Sequence, residues 1–577
     1  MNASNPLPRA LLAGASLLIP GMSAHADLLT QLASFQGVAG SAEIVSFDKY
    51  SKLVFSSADT GVQFVDLANP SAPISTGPLS FLNLSTVDGL SIRSISSVAA
   101  DPLGRGFGVA TAIPMESGSN PGKVVFFDTT SRSILKTLDV GWHPDSIKFS
   151  SDGTKLLIAN EGEPITQGAN HFDRPGSLSV IDISSVAGSA QLAGLGSGQV
   201  GTFDFSAANL QSGVDLTGAR VHPVNNAAGD RFKDIEPEYI TQQGNRVFVT
   251  LQENNAIGEF DLASGKWTSV KGLGTITKLI DASDREVSSS VGKIEINDNI
   301  AGMPMPDALA SYQVGAKTYL VTANEGDQRR PDFASGSHPV TDDSARVKDL
   351  PRASFAPAYL AQLDALYPAA IFGASTFQND KALGRLTVSK FDHLDASGKI
   401  DDLNAFGTRS FSIWDADTGA RVYDSGSAFE FTTAALFPAL FNSEGVPTGG
   451  SGFDTRSDNK GPEPEGVTIG QFNGATVAFI GLERIGGVMA YNITDPSNPS
   501  FLQYINTREI SPESLEFIPA SDSPNGTPLL LVGYEVGNKI GVYSIDIAAV
   551  PEVSTVAPAI VGLAFGGWLL RRRTQRA

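Results

Sequence analysis

The sequence predicts an all-β fold, a seven-bladed β-propeller with a long insertion in its fifth blade. Two observations support this prediction: a unit of about four strands recurs seven times along the chain, and the composition suits short strands joined by tight turns. The chain has 577 residues, including 59 glycines and 33 prolines. Closed β architectures built from repeats often reach such a length as a single domain.

Six of the seven copies of the repeat open with a strand that carries an acidic residue and continue with an apolar strand that ends in a second acid. PESLEFI, from Pro512, shows the opening strand, and LIANE, ending at Glu161, shows the second. A third strand with alternating apolar residues follows, as in GVMAYNITDP. A weaker copy, which includes KVVFFDTTS, lacks the acids and has Ser96 where the first acid is expected. The repeat therefore predicts blades of closely similar construction.

The two ends of the repeat region predict how the propeller closes. The last copy supplies three strands, and a spare strand, LLTQLASF, lies at residues 28–35 ahead of the first copy. We predict that this N-terminal strand completes the last blade, because the pairing removes two exposed sheet edges. The long insertion, at about 327–408, separates the second and third strands of the fifth blade and has an amphipathic helical stretch near 358–367.

The acids of the repeat are predicted to meet at one mouth of the central channel. In a four-stranded meander, the start of the first strand and the end of the second lie on the same side. The predicted rings are formed by Glu43, Asp145, Glu238, Asp307, Glu465 and Glu513, and by Asp59, Glu161, Glu253, Glu325, Glu483 and Glu535. The alternative interpretation is that these acids only cap turns or join neighbouring blades through hydrogen bonds.

So many carboxylates in a partly dehydrated mouth would repel and raise each other's pKa values, so a positive group is needed there. A hard cation such as Ca²⁺ suits ligands that are all oxygen. Basic side chains of the loops are the other candidates: Arg93, Arg174, Arg231, Arg329, Arg346, Lys348, Arg409, Arg456, Lys460 and Arg484.

Composition excludes several classes of function. The net charge of −20 argues against a nucleic-acid surface, which needs clustered Lys and Arg. The absence of cysteine excludes disulfides, thiolate nucleophiles and Cys-ligated metals. With only six histidines, a metal site is expected to be rich in oxygen.

Both termini carry export signals in the sequence. Residues 1–26 are predicted to be a signal peptide, with an apolar core followed by Ala24-His25-Ala26. The propeller is predicted to occupy 27–548. The segment 549–577 resembles the PEP-CTERM sorting signal of Gram-negative bacteria, although Val553 replaces the second proline. It has a predicted transmembrane helix at about 554–570 and an arginine-rich tail, and an ordinary membrane anchor is the alternative.

Long motifs in the propeller region resemble the choice-of-anchor I family. They include ANEGEP, DIEPEYI, TLQENNAIGEFDLASG, TANEGD, RSFSIWDADTGARVYDSG, RSDNKGPEPEGV and FIGLERIGGVMAYNITDP. The resemblance spans about residues 28–547 and implies an extracellular propeller-like domain with an exchangeable C-terminal anchor. Some members are labelled alkaline-phosphatase-like, and animal relatives are called mesenchyme-specific cell-surface glycoproteins.

Two functions remain open at this point. The first is an exported propeller of the cell surface or extracellular matrix, sorted by signal peptidase and exosortase. It would bind a polysaccharide, phosphate ester or surface ligand, with Ca²⁺ at the acidic mouth. The second is a metal-dependent phosphoesterase that uses the same acids. The candidate metal ligands are Glu161, Glu238, Glu253, Glu325, Glu465 and Glu483. The candidate phosphate-binding residues are Arg346, Lys348, Arg409, Lys460 and Arg484. No catalytic nucleophile is evident.

Overall fold

A computed structural model of the protein describes residues 27–38, 40–75, 77, 80–167, 170–329, 342–445, 452–472 and 474–550. The predicted signal peptide and the predicted transmembrane helix at 554–570 lie outside these residues. Among the residues described, no helix is both long and apolar enough to cross a membrane.

The strands of the described residues form nine sheets, and seven of these follow one another along the chain. Sheet seven contains β1 (Leu29–Gln36), and sheet one contains β2 (Val45–Asp48), β3 (Leu53–Ala58), β4 (Gly61–Asp66), β5 (Ile74–Ser75) and β6 (Phe81–Asn83). Sheet two contains β7 (Thr86–Val87), β8 (Leu90–Ala100), β9 (Phe107–Pro114), β10 (Lys123–Asp128) and β11 (Ile134–Asp139). Sheet three starts with β12 (Pro144–Phe149) and β13 (Lys155–Asn160). A separate hairpin of β14 (Ile165–Gln167) and β15 (Asn170–Phe172) comes next in the chain. Sheet three is then completed by β16 (Ser177–Asp182) and β17 (Val200–Asp204).

Sheet four contains β18 (Pro237–Gln243), β19 (Arg246–Leu251), β20 (Ala256–Asp261) and β21 (Lys266–Gly272). The next two sheets alternate along the chain. One is a separate sheet that begins with β22 (Ile276–Ile280) and β23 (Asp298–Met303). The other is sheet five, which begins with β24 (Leu309–Val314) and β25 (Lys317–Asn324). The separate sheet continues with β26 (Ser344–Arg346), β27 (Thr387–Ser389) and β28 (Asn404–Phe406), and sheet five ends with β29 (Ser410–Asp415) and β30 (Arg421–Asp424). Sheet six contains β31 (Pro464–Phe472), β32 (Ala475–Leu482), β33 (Val488–Asn492) and β34 (Ser500–Ile505), and sheet seven is completed by β35 (Pro512–Ile518), β36 (Leu529–Tyr534) and β37 (Lys539–Ile545).

The seven sheets close into a ring. The innermost strands β2, β8, β12, β18, β24, β31 and β35 each contact the next, and β35 contacts β2. The N-terminal strand β1 pairs antiparallel with β37, with Leu29 opposite Ile545, so the predicted pairing between the two ends of the chain is present. This arrangement is that of an all-β propeller.

The hydrophobic core lies between neighbouring sheets. Alternate side chains of a strand point to opposite faces, so a middle strand that is covered on both faces must be apolar throughout. In β36, Leu529 and Leu531 pack toward sheet one, whereas Leu530 and Val532 pack toward sheet six. Each pair of adjacent sheets shares such a cluster. These clusters hold the inner strands, and therefore the acids, in fixed positions.

The long insertion has a hydrophobic core of its own. Phe355, Leu363, Phe377 and Leu386 pack against Ile300 of β23, so the insertion folds together with the segment before sheet five. The described helices are α1 (Pro223–Ala228), α2 (Pro357–Leu366), α3 (Ala369–Phe372) and α4 (Ala428–Leu436). Helix α2 matches the predicted helical stretch. Helix α4 was not predicted from the sequence; its Phe429 packs against sheets five and six.

Candidate functional site

The first acid of the repeat lies in a β-bulge at the start of the innermost strand. In sheets three, four, six and seven, the pairing of the first two strands breaks immediately after the opening proline. A bulge bends the strand and changes the direction of a side chain, and bulges are common beside binding sites. The residues placed in these bulges are Asp145, Glu238, Glu465 and Glu513. The bulge gives these four acids the same local setting.

A strained residue before the proline joins the two acids of a sheet. His143, Glu463 and Ser511 have φ values of 49°, 50° and 52°, a region that residues other than glycine rarely adopt. Their carbonyl groups accept hydrogen bonds from the backbone amides of the second acids Glu161, Glu483 and Glu535, at 2.8, 2.8 and 2.9 Å. The sheet thus fixes both acids at one end of its two inner strands. Strain of this kind concentrates at functional sites.

Five of the twelve predicted acids line a cavity of about 330 Å³. Its lining comes from sheets one, two, three, four, six and seven, and consists of Glu43, Ile44, Ser96, Asp145, Ser146, Tyr239, Glu465, Glu513 and Glu535. Ser96 occupies the position in sheet two where the other sheets carry the first acid. The convergence expected from the repeat is therefore present in the fold.

Two groups of carboxylates in this mouth are close enough to share a cation. Asp307, Glu465 and Glu513 each place an oxygen within 4.8 Å of the others, and so do Glu325, Glu465 and Glu483. Glu465 belongs to both groups. Among the described residues, one buried oxygen each of Glu238, Asp307, Glu465 and Glu483 has no hydrogen-bond partner. A carboxylate oxygen in this state is available to a metal ion.

Burial and repulsion between carboxylates raise the pKa values of four acids at the cavity. These four, called the inner acids, are Glu43, Asp145, Glu465 and Glu513. Burial is the largest cause for each acid. It raises the pKa of Asp145 to about 6, that of Glu43 to about 7 with help from Glu535, and that of Glu513 to about 8 with help from Glu535. For Glu465, burial and then the charge of Glu483 raise the pKa well above its usual range. Among the described residues, no Lys or Arg forms an ion pair with Glu465 or Glu513.

Basic side chains neutralise a second set of acids, called the outer acids. On this side of the mouth they are Glu325, Glu463 and Glu483. The Lys460 ammonium is buried, pairs with Glu325 and lies 3.4 Å from Glu463. Arg484 lies 3.0 Å from Glu483 and 3.2 Å from Glu463. Burial tends to raise the pKa of Glu463, but Lys460, Arg456 and Arg484 outweigh it and lower that pKa to about 2.

Arg329 has the same role beside sheet four. It is fully buried, forms an ion pair with Asp234 and lies 2.8 Å from Glu236. Its charge also opposes the increase that burial and Glu236 impose on the pKa of Glu253. The mouth thus has an outer set of compensated acids and an inner set whose nearest charges are other carboxylates.

A third possible cation position lies beside sheet three. Nδ1 of His143 is 3.3 Å from Glu161 and 3.4 Å from Glu163, while Nε2 is 2.7 Å from the Arg93 guanidinium. Burial and then the Arg93 charge lower the pKa of His143 to about 3, so the imidazole is neutral at physiological pH. A neutral imidazole binds a metal only through the nitrogen without a proton, and the Arg93 contact at Nε2 favours the tautomer with the proton on Nδ1, where it can be donated to Glu161 or Glu163.

The predicted metal ligands all lie at the mouth but in different surroundings. Glu325, Glu465 and Glu483 share one group, and Glu161 belongs to the histidine group. Glu238 and Glu253 repel each other, and each has a buried oxygen without a partner among the described residues.

The predicted phosphate-binding residues are divided. Lys460 and Arg484 lie at the mouth, but both are already engaged with acids. Arg346 pairs with Asp458 at 2.5 Å, Lys348 with Asp380 at 3.0 Å, and Arg409 with Glu430 at 2.7 Å, so the structure does not bring these three to the ring.

Two contributors were absent from the predicted ligand set, although both occupy the first-acid position of the repeat: Asp307 and Glu513. Tyr239 was missed altogether. It directly follows Pro237-Glu238, so an aromatic residue beside the repeated acid was the available signal. The separation of inner from outer acids was also missed, since it depends on where Lys460 and Arg329 reach in three dimensions.

A family model described as the choice-of-anchor I domain matches residues 43–496. The chain belongs to the choice-of-anchor I family. Its domain shares 32% identity over 177 residues with Gigasin-3a of Magallana gigas, covering 27% of this chain and 62% of that protein. It shares 26% identity over 217 residues with a mesenchyme-specific cell surface glycoprotein of Strongylocentrotus purpuratus, covering 35% of this chain and 27% of that protein. The choice-of-anchor I chain thus spans less than two thirds of each of these relatives.

Among solved structures, the β-propeller domain of Myceliophteria thermophila Cps50 (Swd1) aligns with a TM-score of 0.40 at 9% identity. The alignment covers 89% of this choice-of-anchor I chain and all of the Cps50 chain.

Proposed function

We propose that this protein is an exported, surface-associated propeller that binds a hard cation, Ca²⁺ foremost, at its acidic mouth and uses the ion to hold an oxygen-rich ligand. Each of the seven sheets would be one blade. Membership of the choice-of-anchor I family supports the surface location. Cleavage near residue 26 and sorting of the C-terminal segment by an exosortase belong to the same proposal.

The observation that supports cation binding most strongly is the position of Glu465. It is buried, belongs to both carboxylate groups and keeps one oxygen without a partner among the described residues. Buried carboxylates without a counter-charge are unfavourable, and a divalent cation with oxygen ligands would remove the repulsion. The cavity beside Glu465 leaves room for ligand oxygens and water to complete the coordination.

The ligand class follows from the remaining surface of the cavity. Carboxyl and hydroxyl groups dominate its lining, so an anion would be attracted only through a bound cation. Sugar hydroxyls and phosphate ester oxygens both coordinate Ca²⁺, and sugar hydroxyls also donate hydrogen bonds to carboxylates, which makes an extracellular polysaccharide or a phosphate ester the expected partner.

The test is elemental analysis of the purified protein, followed by calcium titration of chelator-treated samples. Wild type is expected to bind calcium, and Glu465→Gln is expected to lose affinity at least tenfold because it removes a charge shared by both groups. Glu259→Gln is the matched control, since that carboxylate pairs with Arg246 at 2.6 Å away from the cavity lining. Equal affinity in Glu465→Gln and wild type would refute the site.

One observation favours a second candidate, a metal-dependent phosphoesterase. Two carboxylate groups that share Glu465 suit a pair of adjacent cations, and paired metals about 3.5–4 Å apart stabilise both oxygens of a phosphoryl transfer. Turnover of a phosphomonoester that requires calcium or a transition metal and is lost in Glu465→Gln would establish the enzyme. Calcium binding without turnover across those metals would leave the binding function alone.

A further inference from the structure

One sector of the mouth carries no acid of the repeat. Sheet two has Ser96 where the other sheets have the first acid, and the Ser96 hydroxyl donates to the carbonyl of Pro144 at 2.6 Å. Sheet two instead contributes an exposed arginine, Arg93, which lies three residues before Ser96 on β8. The set of acids is therefore interrupted at sheet two, and a positive side chain lies beside the interruption.

Arg93 is held by a neutral partner. Its guanidinium lies 2.7 Å from Nε2 of His143, and the tautomer that this contact favours has its proton on Nδ1, toward Glu161 and Glu163. Among the described residues, Arg93 forms no ion pair with a carboxylate and makes no other side-chain hydrogen bond. The contact thus orients the guanidinium but leaves its charge uncompensated.

A second arginine, Arg174, is held in the same way. Its guanidinium lies 4.1 Å from the ring centre of Trp142 and 5.1 Å from that of Phe172. Its Nε and Nη2 donate to the carbonyl of Gly118 at 3.1 and 2.7 Å. Aromatic rings and a carbonyl orient a guanidinium without neutralising it. Within the part of the chain that the structure describes, Arg174 also has no carboxylate partner.

Backbone contacts place both arginines beside the acids of sheet three. Trp142 and His143, which the two arginines contact, are consecutive residues, and their carbonyls accept hydrogen bonds from the amides of Gly162 and Glu161 at 3.1 and 2.8 Å. A Cβ atom at Gly162 would lie 2.7 Å from the carbonyl oxygen of Arg174, so the Arg174 backbone passes next to the second acid of this sheet. Both arginines therefore lie in one sector of the mouth.

The other basic groups of the mouth are already neutralised. Lys460, Arg484 and Arg329 each pair with a buried acid of the protein. Arg93 and Arg174 differ from them, although the chain carries a net charge of −20. An arginine that is oriented in advance loses less side-chain entropy when it binds an anion, so such a pair is suited to a negatively charged ligand.

We propose that Arg93 and Arg174 form a subsite for the anionic substituent of a saccharide ligand, which is a carboxylate, a sulfate or a phosphate. This inference rests on the proposed binding of an oxygen-rich ligand at the mouth and narrows that ligand to an acidic saccharide. Arginine donates parallel hydrogen bonds to the oxygens of such anions. The carboxylates of the mouth and their calcium ion would contact the hydroxyl groups of the same ligand.

The test measures binding of short saccharides to the full-length protein at saturating calcium. Trigalacturonate is expected to bind about tenfold more tightly than its methyl ester, which lacks the negative charges. Arg93→Gln should remove this preference by weakening the binding of trigalacturonate, while the affinity for the ester stays unchanged. A sulfated and a phosphorylated trisaccharide, measured in parallel, identify the preferred anion. Added salt should weaken trigalacturonate binding more in wild type than in Arg93→Gln.

Two further variants accompany this measurement. Arg174→Gln is expected to resemble Arg93→Gln, and thermal melting reports whether each variant is folded. Because Arg93 is exposed, its replacement should leave stability nearly unchanged, so the Arg93 variant decides the outcome if the Arg174 variant is unstable. Arg421→Gln is the matched control, since Arg421 is exposed on β30 at the outer edge of sheet five, and it should bind every saccharide as wild type does.

Calcium titration separates the subsite from the proposed function. Both arginine variants should bind calcium at least as tightly as wild type, because the loss of a positive charge does not repel a cation. An unchanged calcium affinity in Glu465→Gln would refute the mouth site and leave the arginine result to stand alone. The subsite is overturned if wild type binds none of the acidic saccharides, prefers the ester, or binds trigalacturonate no more tightly than Arg93→Gln does.

Discussion

The Tyr239 hydroxyl donates a hydrogen bond to the Glu513 carboxylate at 3.2 Å, although their strands belong to sheets four and seven. The channel mouth is thus narrow enough for one side chain to connect sheets that are not neighbours. Burial raises the pKa of Tyr239 well above its usual range, and the charge of Glu513 adds to this. The tyrosine therefore remains a donor wherever the protein is folded.

Replacing this donor tests the contact. Tyr239→Phe is expected to reduce the free energy of unfolding by about 1 kcal/mol, because one buried hydrogen bond is lost while the ring is kept. It should also weaken calcium binding, since Glu513 would lose a partner that orients it. Denaturant unfolding and calcium titration measure the two effects, and no change in either would show that the contact is dispensable.

Stability without metal is expected to fall as pH rises from about 4 to about 8, and the raised pKa values give the sign. Glu43 has a folded-state pKa of about 7 and Glu513 of about 8, both above the ordinary value of about 4.3 for the unfolded chain. Between these limits the unfolded chain releases protons that the folded protein keeps, so rising pH favours unfolding.

Calcium should reduce that loss, because the ion replaces the protons and stabilises the folded state by mass action. Melting temperatures measured between pH 5 and 8, with chelator and with calcium, test this prediction. Parallel curves in the two conditions would mean that calcium does not bind the titrating carboxylates. Glu463 behaves oppositely: its pKa of about 2 means that its contribution is lost only as the solution becomes strongly acidic.

Lys460 is expected to be the most costly single charge to remove. Lys460→Met leaves Glu325 and Glu463 buried without their main counter-charge, and breaking a buried pair in this way typically costs about 3–5 kcal/mol. The half-exposed Lys348, which pairs with Asp380, is the control, because Lys348→Met should cost at most about 1 kcal/mol. Similar losses in the two variants, measured by denaturant unfolding, would contradict the structural role of Lys460.

Closure of the ring by β1 can be tested at two adjacent residues. Leu29 is 1% exposed and packs between sheets six and seven, so Leu29→Ala is expected to reduce the free energy of unfolding by about 2–4 kcal/mol. Thr30, the next residue along the strand, is exposed, and Thr30→Ala should change stability by less than about 0.5 kcal/mol. Equal effects would argue that β1 is not part of the folded core.

The repeat made much of the site accessible from sequence. Because the acids recur at equivalent strand ends, their convergence followed from the geometry of a meander, and even Ser96 lies at the position that its weaker copy implied. The separate sheet did not follow, since β26, β27 and β28 have three residues each and pair with strands distant in the chain. The ion-pair partners of Arg409 and Lys460 could not be predicted either, because they depend on how segments distant in the chain pack together.

Helix α4 and the contact between Asp454 and Gly292 also could not be predicted from local sequence patterns. Phe429 on α4 is buried only because sheets five and six meet there. Asp454 lies against Gly292, more than 150 residues earlier in the chain, and no local pattern marks that contact.

The most direct test of the account is the position of calcium in the folded protein. Anomalous diffraction from crystals grown with calcium is expected to place an ion roughly 2.3–2.6 Å from a carboxylate oxygen of Glu465, with Asp307, Glu513, Glu325 or Glu483 completing the coordination. An empty mouth at saturating calcium, with Glu465 hydrogen-bonded to another carboxyl group, would contradict the central claim.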